Sequence, residues 1–235
     1  MTTRPGLSDC LHCPMRDRSI FAGLSLDDLR ALGMEVQDIR VPAASTLYLE
    51  GDRARYAYTL RQGAVKLVKT LPNGRAQIVR LLRHGDLFGF EGLREARHRH
   101  SAIALTQTDL CQLDLPALEA LSQRLPSVHG AITQRWFSAL QEAENRIVEL
   151  GAKKAEERLA TFLCQWCSAY PQGGAVPFPL TRQELGEFLG LSTEHVSRLM
   201  AEFKRQGLLS ERKGTLDIPD SRRLLQHACT SGACA

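Results

Sequence analysis

The chain has 235 residues, 43% of them hydrophobic and 24% charged, which gives room for two globular domains, each with a core of its own. Its formal net charge of +4 is too small to assign a partner class, so the placement of charge matters more than the total. No stretch approaches the ~18 apolar residues of a membrane span and no N-terminal apolar run resembles a signal peptide, so a membrane protein is excluded and a cytoplasmic location is expected.

Taken in order, the opening segment is polar and carries Cys10-Leu-His-Cys13-Pro14. The spacing then predicts a short helix over 26–34, capped by Ser25. Over 41–115 the pattern changes to short segments of alternating apolar character: STLYLEGD, YAYTLRQG, AVKLVKTL, AQIVRLLRHGD, HSAIALTQ and DLCQLDL. Gly51, Gly63, Asn73-Gly74 and Gly85 mark the turns between them, Asn-Gly being the strongest hairpin signal. This is a small antiparallel barrel or roll. Without βαβ alternation, a doubly wound nucleotide-binding sheet is not expected.

A short helix follows over 116–125, and Pro126 opens a long one. Trp136, Leu140, Ala143, Ile147 and Leu150 recur along it at steps of four, three, four and three, a heptad seam. Such a seam either pairs with a second copy or packs on the roll. Gly151 interrupts it and marks a hinge. The helix AKKAEERLATFLCQWCSAY begins the next domain; its Cys164 and Cys167, interleaved with Leu163 and Trp166, read as core packing. PQGGAVPFP is a loop.

Residues 180–209 read as two short helices joined by a tight turn. Thr181 and Glu184 form a capping box, Gly190 ends the first helix and Ser192 caps the second. Val196, Leu199, Met200 and Phe203 face inward at helical spacing. Glu194, Ser197, Arg198, Ala201 and Arg205 lie on the opposite stripe. This is the helix-turn-helix pattern, whose second helix presents its N-terminal residues to base edges in the major groove. Arg suits guanine, Glu the cytosine amino group, and Ser a base or phosphate. From Arg198 to Lys213 five basic residues stand against two Glu, an excess suited to phosphates. A β-hairpin wing follows with Lys213-Gly214 at its tip, then a polar tail over 222–235 expected to be loosely ordered. Thr193, Thr181 and Lys213 join Glu194, Ser197, Arg198 and Arg205 as candidate DNA contacts.

This order of parts, with HGDLFGFEG, AEERLATFL and LTRQELGEFLGLSTEHVSRLM as its specific stretches, resembles the CRP/FNR family of bacterial transcription regulators over nearly the whole chain. The resemblance implies an α+β fold: a cysteine-containing segment over 1–25, a cyclic-nucleotide-binding-like antiparallel β-roll over 26–125, a dimerisation helix over 126–151 and a winged helix-turn-helix over 152–235. Glu194, Ser197 and Arg198 match the Glu-x-x-Ser-Arg of the FNR-like branch, which implies a homodimer on a TTGAT-like palindrome. Double-stranded DNA and RNA polymerase are the implied partners, and transcription activation the implied role.

The regulator for which the FNR-like branch is named holds an oxygen-labile [4Fe–4S] cluster on four cysteines, three near its N-terminus and one in its roll. Cys10, Cys13 and Cys111 match three of them, and Ser19 stands at the fourth position. Asp9, His12, Asp17 or Ser19 can complete the set. The same three cysteines also suit a metal-free thiol–disulfide switch, or plain packing of Cys111 in the roll. Two further readings of the same fold rank lower. For a cyclic nucleotide, the matching positions are Gly85-Asp86 and His100-Ser101, with His where a phosphate-clamping Arg belongs and Arg97 or Arg99 as substitutes. The run 94–100 reads instead as a solvated hairpin. Haem has only His84 and His12 to offer. An enzyme is not expected: a Cys-x-x-Cys oxidoreductase needs a thioredoxin-like βαβ context. Cys229 and Cys234 give only a weak signal of a metal site in the tail.

Overall fold

Glycine-punctuated alternation of apolar and polar residues makes the first half of the chain an antiparallel sheet structure. The computed structural model describes residues 6, 7, 10, 12, 13, 16–22, 24, 25, 35–170 and 174–229, so the helix expected over 26–34 lies outside the described residues. Two units divide the chain, Met1–Gln141 and Glu142–Ala235.

The first unit contains β1 (Gly6–Leu7), β2 (Val36–Val41), β3 (Thr46–Tyr48), β4 (Tyr56–Gln62), β5 (Val65–Thr70), β6 (Ala76–Leu82), β7 (Leu87–Phe88), β8 (Ser101–Ala104) and β9 (Thr108–Asp114). They form a five-stranded sheet in the order β1-β2-β9-β4-β7 and a four-stranded sheet in the order β3-β8-β5-β6. The glycines at the expected turns, Gly51, Gly63, Gly74 and Gly85, all have φ between 80° and 95°. Strand alternation sends residues to two cores. Tyr58, Leu60, Leu110 and Phe88 enter one with Val65, Leu67 and Leu82 from the four-stranded sheet. Ala57 and Leu113, on the opposite face, meet Ile20, Phe21 and Leu24 of the N-terminal segment.

Two helices follow. α1 (Leu115–Arg124) is capped by Asp114, whose carboxylate accepts the Ala117 N–H at 3.1 Å. α2 (Pro126–Ala152) runs for 27 residues, of which only Val128 and Ile132 are buried. Gly151 lies inside its last turn.

In the run 94–100, Arg94, Ala96, Arg97 and Arg99 are exposed as expected, but the two histidines are not. His98 is buried, stacks on Tyr48 with ring centroids 3.6 Å apart, and places Nδ1 3.1 Å from Glu91 Oε1. His100 approaches the same carboxylate at 3.9 Å. The 3-10 turn Phe90–Leu93 points Glu91 inward, giving the imidazoles a partner that spacing alone does not reveal.

The second unit opens with the last turns of α2 and continues with α3 (Ala155–Ser168), β10 (Val176–Pro177), α4 (Arg182–Leu189), α5 (Thr193–Arg205), β11 (Ser210–Arg212), β12 (Thr215–Asp217) and α6 (Ser221–Cys229). Two expectations are corrected here. The segment read as a loop contributes β10, which pairs with β12. The tail read as loosely ordered is helical as far as Cys229: the Asp220 carboxylate accepts the N–H groups of Arg222 and Arg223 at 2.9 and 3.1 Å, and Leu224 is buried as the helix packs on α3. Cys234 lies outside the described residues. Cys164 and Cys167 are half-buried, and burial, with Cys167 beside Cys164 and Asp217 beside Cys167, raises both thiol pKa values, Cys164 to about 11. Such thiols are poor nucleophiles, which fits packing.

The helix-turn-helix is built as its sequence dictates. Thr181 Oγ1 accepts the Glu184 N–H at 3.1 Å, while the Glu184 carboxylate accepts the Thr181 N–H at 2.8 Å. Gly190 closes α4 in the left-handed region, and Ser192 Oγ accepts the His195 N–H at 3.1 Å. Gly186 sits mid-helix for a steric reason: a Cβ there would lie 2.6 Å from the Leu191 carbonyl oxygen. Leu191 N–H donates back to Gly186 O at 3.0 Å, so the turn folds directly against this bare backbone.

Two predictions follow from these contacts. Gly186→Ala pushes the Leu191 carbonyl out of its place and is expected to cost about 1–3 kcal/mol, as overpacking does, read as a lower melting temperature of the second unit. The Glu91 group gives the first unit an acid limb. Burial raises the Glu91 carboxyl, but the His98 hydrogen bond and the charge of His100 outweigh it and leave Glu91 below the usual range. Burial, with like charge from His98, Arg80 and Lys69, also holds His100 below its ordinary value despite the pull of Glu91. Both depressed groups stabilise the fold above their unfolded pKa values. Stability is therefore lost as pH falls, from about 6.5 for His100 and then through the acid range for Glu91. Urea melts across pH should show this slope, and Glu91→Gln should flatten its acid end. An unchanged profile in that variant would contradict the assignment.

Candidate nucleic-acid interface and cysteine site

α5 divides cleanly into two faces. Val196, Met200 and Phe203 are buried, with Leu199 half-buried beside them. Thr193, Glu194, Ser197, Arg198, Ala201 and Arg205 are exposed. Glu194 and Arg198 make no side-chain hydrogen bond or ion pair among the described residues, which leaves both polar groups available to base edges. Ser197 Oγ donates to the Thr193 carbonyl at 2.8 Å and keeps its lone pairs as acceptors. Arg205 pairs with Glu202 on its own helix, so phosphate must compete with that carboxylate. Thr181 is exposed, but its hydroxyl belongs to the α4 cap. Lys213 is exposed at the wing tip with φ 45°, beside Gly214 at φ 77°, the pair of positive angles a tight hairpin turn requires.

One carboxylate holds the wing to both helices. Glu211 on β11 accepts from Arg182 at the start of α4 and from Lys204 near the end of α5, the latter at 2.6 Å. Burial raises its pKa, and the two cations bring it below the ordinary value. Arg182 was not legible as a site residue; its signal is only a basic residue at the first helical position. Arg146 and Arg158 were likewise missed. Arg146 donates to the Phe188 carbonyl and lies 3.6 Å over the Phe188 ring; Arg158 donates to the Leu189 carbonyl at 2.8 Å.

Of the seam residues, Leu140 and Ile147 are 56% and 71% exposed, and Ala143 is exposed too. Trp136 is 40% exposed, with its ring edge-on to Phe90 at 4.7 Å. Leu150 is half-buried, its Cδ2 3.3 Å from where a Cβ on Gly190 would stand. Phe137 and Val148, absent from the strict heptad, add 53% and 61% exposed apolar side chains to the same helix.

In the first unit a cavity is lined by Cys10, Cys13, Arg16, Ser19, Phe21, Val36, Thr59, Cys111 and Leu113. Register explains the sheet side of it. Cys111 on the central strand β9 lies opposite Asp38 on β2 and Thr59 on β4, so these side chains share a face. Cys111 Sγ stands 3.9 Å from Asp38 Oδ1, and Asp38 pairs with Arg61 at 2.5 Å. The N-terminal side is held by Ile20 and Phe21, which are buried in the core beside β9. Cys10, Cys13 and Cys111 are half-buried thiols. Ser19 Oγ is already committed: it donates to Arg16 O at 2.8 Å and accepts the Phe21 N–H at 3.1 Å. His12 and Asp17 are exposed and off the cavity wall, and Asp9 lies outside the described residues.

Cys111 from the sheet and Cys10 and Cys13 from the N-terminal segment line the same cavity, and thiolates are the usual ligands of iron–sulfur centres. Among the described residues no three Cys, His, Asp or Glu side chains converge on a point as a single metal ion requires.

The other ligand positions are occupied by the fold itself. Asp86 accepts the Arg83 N–H at 2.7 Å, and Ser101 Oγ accepts the Glu50 N–H at 2.9 Å. Arg97 donates to Gly51 O at 2.7 Å, and Arg99 pairs with Glu95 at 2.5 Å. His84 Nδ1 lies 2.6 Å from Arg61 O. No helix among the described residues is long and apolar enough to cross a membrane.

Comparison with known proteins agrees with this arrangement. A cyclic nucleotide-binding domain model matches residues 38–124 and a Crp-like helix-turn-helix domain model matches residues 157–227. The transcriptional regulatory protein Btr of Bordetella pertussis is 30% identical over 234 residues, covering 96% of this chain and 97% of that one. The fumarate and nitrate reduction regulatory protein of Escherichia coli is 29% identical over 80% of this chain and 77% of its own. The structure of FixK2 from Bradyrhizobium japonicum superposes with a TM-score of 0.77 at 29% identity, covering 85% of this chain and 99% of that one. The exposed polar face of α5, the antiparallel roll and these full-length likenesses together show that the chain belongs to the CRP/FNR family of DNA-binding transcription regulators and is not an enzyme.

Proposed function

We propose that this regulator is redox-responsive and acts as a homodimer on a TTGAT-like palindrome, with Cys10, Cys13 and Cys111 as its sensor. The observation that carries the sensing half is the shared cavity: two cysteines from the N-terminal segment and one from the middle of the sheet line one space. A relative named for fumarate and nitrate reduction, both electron-accepting reactions, supports a redox signal.

In this reading residues 1–25 carry the sensor cysteines, 26–125 form the sensing roll, 126–151 the dimer helix and 152–235 the DNA-binding domain. Trp136, Leu140, Ala143, Ile147 and Leu150 form the seam. Glu194 and Arg198 read bases, and Ser197, Thr193, Arg205, Thr181 and Lys213 hold phosphates or the neighbouring bases. Cys10, Cys13 and Cys111 hold a [4Fe–4S] cluster, which when bound supplies an oxygen-labile centre. The regulator works in the cytoplasm and activates transcription by contacting RNA polymerase.

The commitment of Ser19 to its own turn favours a second reading, a metal-free switch. There, two of the thiols lose two electrons and two protons to an oxidant and join as a disulfide.

Anaerobic purification followed by an absorbance spectrum and iron and sulfide analysis separates the two. Broad visible absorption with matched iron and sulfide, lost in Cys111→Ala, is expected for the cluster. Colourless protein that forms a disulfide in air, trapped by thiol labelling, gives the switch instead. Protein that stays colourless and forms no disulfide in air would remove the cysteine site from the account. For the reading face, Arg198→Ala is expected to weaken binding to a TTGAT-like palindrome by about 1–3 kcal/mol while leaving the dimer intact. Equal affinity in a shift assay would show that Arg198 does not read the site.

A further inference from the structure

The last turn of α4 ends in carbonyl groups that its own helix cannot satisfy. Two guanidinium groups from outside the helix meet them. Arg146, from the penultimate turn region of α2, donates to Phe188 O and lies flat over the Phe188 ring at 3.6 Å. Arg158, on α3, donates to Leu189 O at 2.8 Å. Both face the negative end of the α4 dipole, where a cation is favoured. Arg146 is fixed from the other side by Glu149 at 2.7 Å, and Glu149 also pairs with Lys153 at 3.4 Å. Lys153 donates to Thr161 Oγ1 on α3 at 3.2 Å, so α2 and α3 grip the same turn as one frame. Leu150 closes the contact against Gly190, which carries no side chain to hold it off.

The Nε atoms of Arg146 and Arg158 are buried without a partner among the described residues. Their forks are aimed at α4 even though each leaves one donor unsatisfied. Arg146 is only 14% exposed and immediately precedes Ile147, which is 71% exposed on the seam. Within α4, Gly186 locks onto Leu191, and Leu191 leads into the Ser192 cap of α5. A chain of direct contacts therefore runs from the seam turn of α2, through two arginines and the end of α4, to the start of the reading helix.

We propose that Arg146 and Arg158 are positioning residues for DNA recognition, which fix the angle of α5 relative to the end of the seam helix and so set the half-site separation that a dimer accepts. This rests on the reading of the chain as a dimer on a two-fold target. The arginines need touch no DNA. Their effect appears in how sharply the protein discriminates between half-site spacings, a quantity that loss of stability alone would not alter.

The test measures binding of the full-length protein to duplexes with half-sites at the preferred separation and with about two base pairs added or removed, which turns one half-site by about 70° around the duplex. The wild type is expected to favour one spacing strongly. Arg146→Gln combined with Arg158→Gln should lower affinity at that spacing by about tenfold or more, as loss of charged hydrogen bonds does, while the misplaced spacings lose much less. The preference therefore narrows, with the dimer unchanged by sedimentation. Arg146→Lys keeps the charge in place without the fork and the stacked plane, and should retain an intermediate preference with the fold intact. The proposal is overturned if the variants lose affinity equally at every spacing or keep the wild-type ratio. A wild type with no spacing preference sinks the dimeric reading itself and the positioning role with it.

Discussion

A long helix left with an apolar stripe in water is the constraint on which the rest depends. Trp136, Phe137, Leu140, Ile147 and Val148 stand 40–71% exposed on α2, whose buried residues are confined to its first two turns. Single exposed apolar residues are ordinary, but one helix that carries five, three in the first unit and two in the second, exposes apolar area that water disfavours. The nearly continuous stepping by threes and fours matches the geometry by which two helices cover each other. A second copy laid along this stripe buries it and, by symmetry, presents two reading helices. The proposed palindromic target follows from that one burial.

The sensor has a packed route to the same helix. Cys10 and Cys111 lie against the core that contains Leu113, Leu115, Leu118 and Leu121, and this core also takes Val128 and Ile132 from the first two turns of α2. In the proposed reading, a change of charge or bonding at the thiols would act on Ile20 and Phe21, which share this core with the root of the helix. Protein interiors are close-packed, so a small shift on one side is felt on the other. A signal can act on DNA binding only through a difference in its affinity for two states. The contact between the root of α2 and the cysteine wall is where such a difference would enter.

Much of the fold was legible because its signals are local. Glycines at 51, 63, 74 and 85 announced turns that only a positive φ allows. Thr181, Gly190 and Ser192 announced the helix ends of the reading motif, and the alternation of β9 already put Cys111 and Leu113 on one face. The errors fell where a distant partner decides. Residues 221–229 looked like a loose tail because their apolar content is small, yet Asp220 caps them and α3 offers Leu224 a surface. His98 and His100 looked solvated because nothing nearby in sequence shows that Glu91 turns inward to meet them. Arg146, Arg158 and Arg182 carried no signal, since a basic residue on an amphipathic helix normally points to water and its carbonyl or carboxylate partner lies 29 to 42 residues away. At the cysteine site, the family resemblance singled out three of the seven cysteines, whereas only the structure shows that they share a cavity and that Ser19 spends its hydroxyl on its own turn.

The central claim is that two chains, joined along α2, read one two-fold target with α5. The mass of the protein–DNA complex on a single TTGAT-like palindromic duplex, by sedimentation equilibrium or native mass spectrometry, tests this most directly. Two chains per duplex are expected, bound together without a populated one-chain complex. One chain per duplex, or two that bind independently on half-sites placed at any separation, would contradict it.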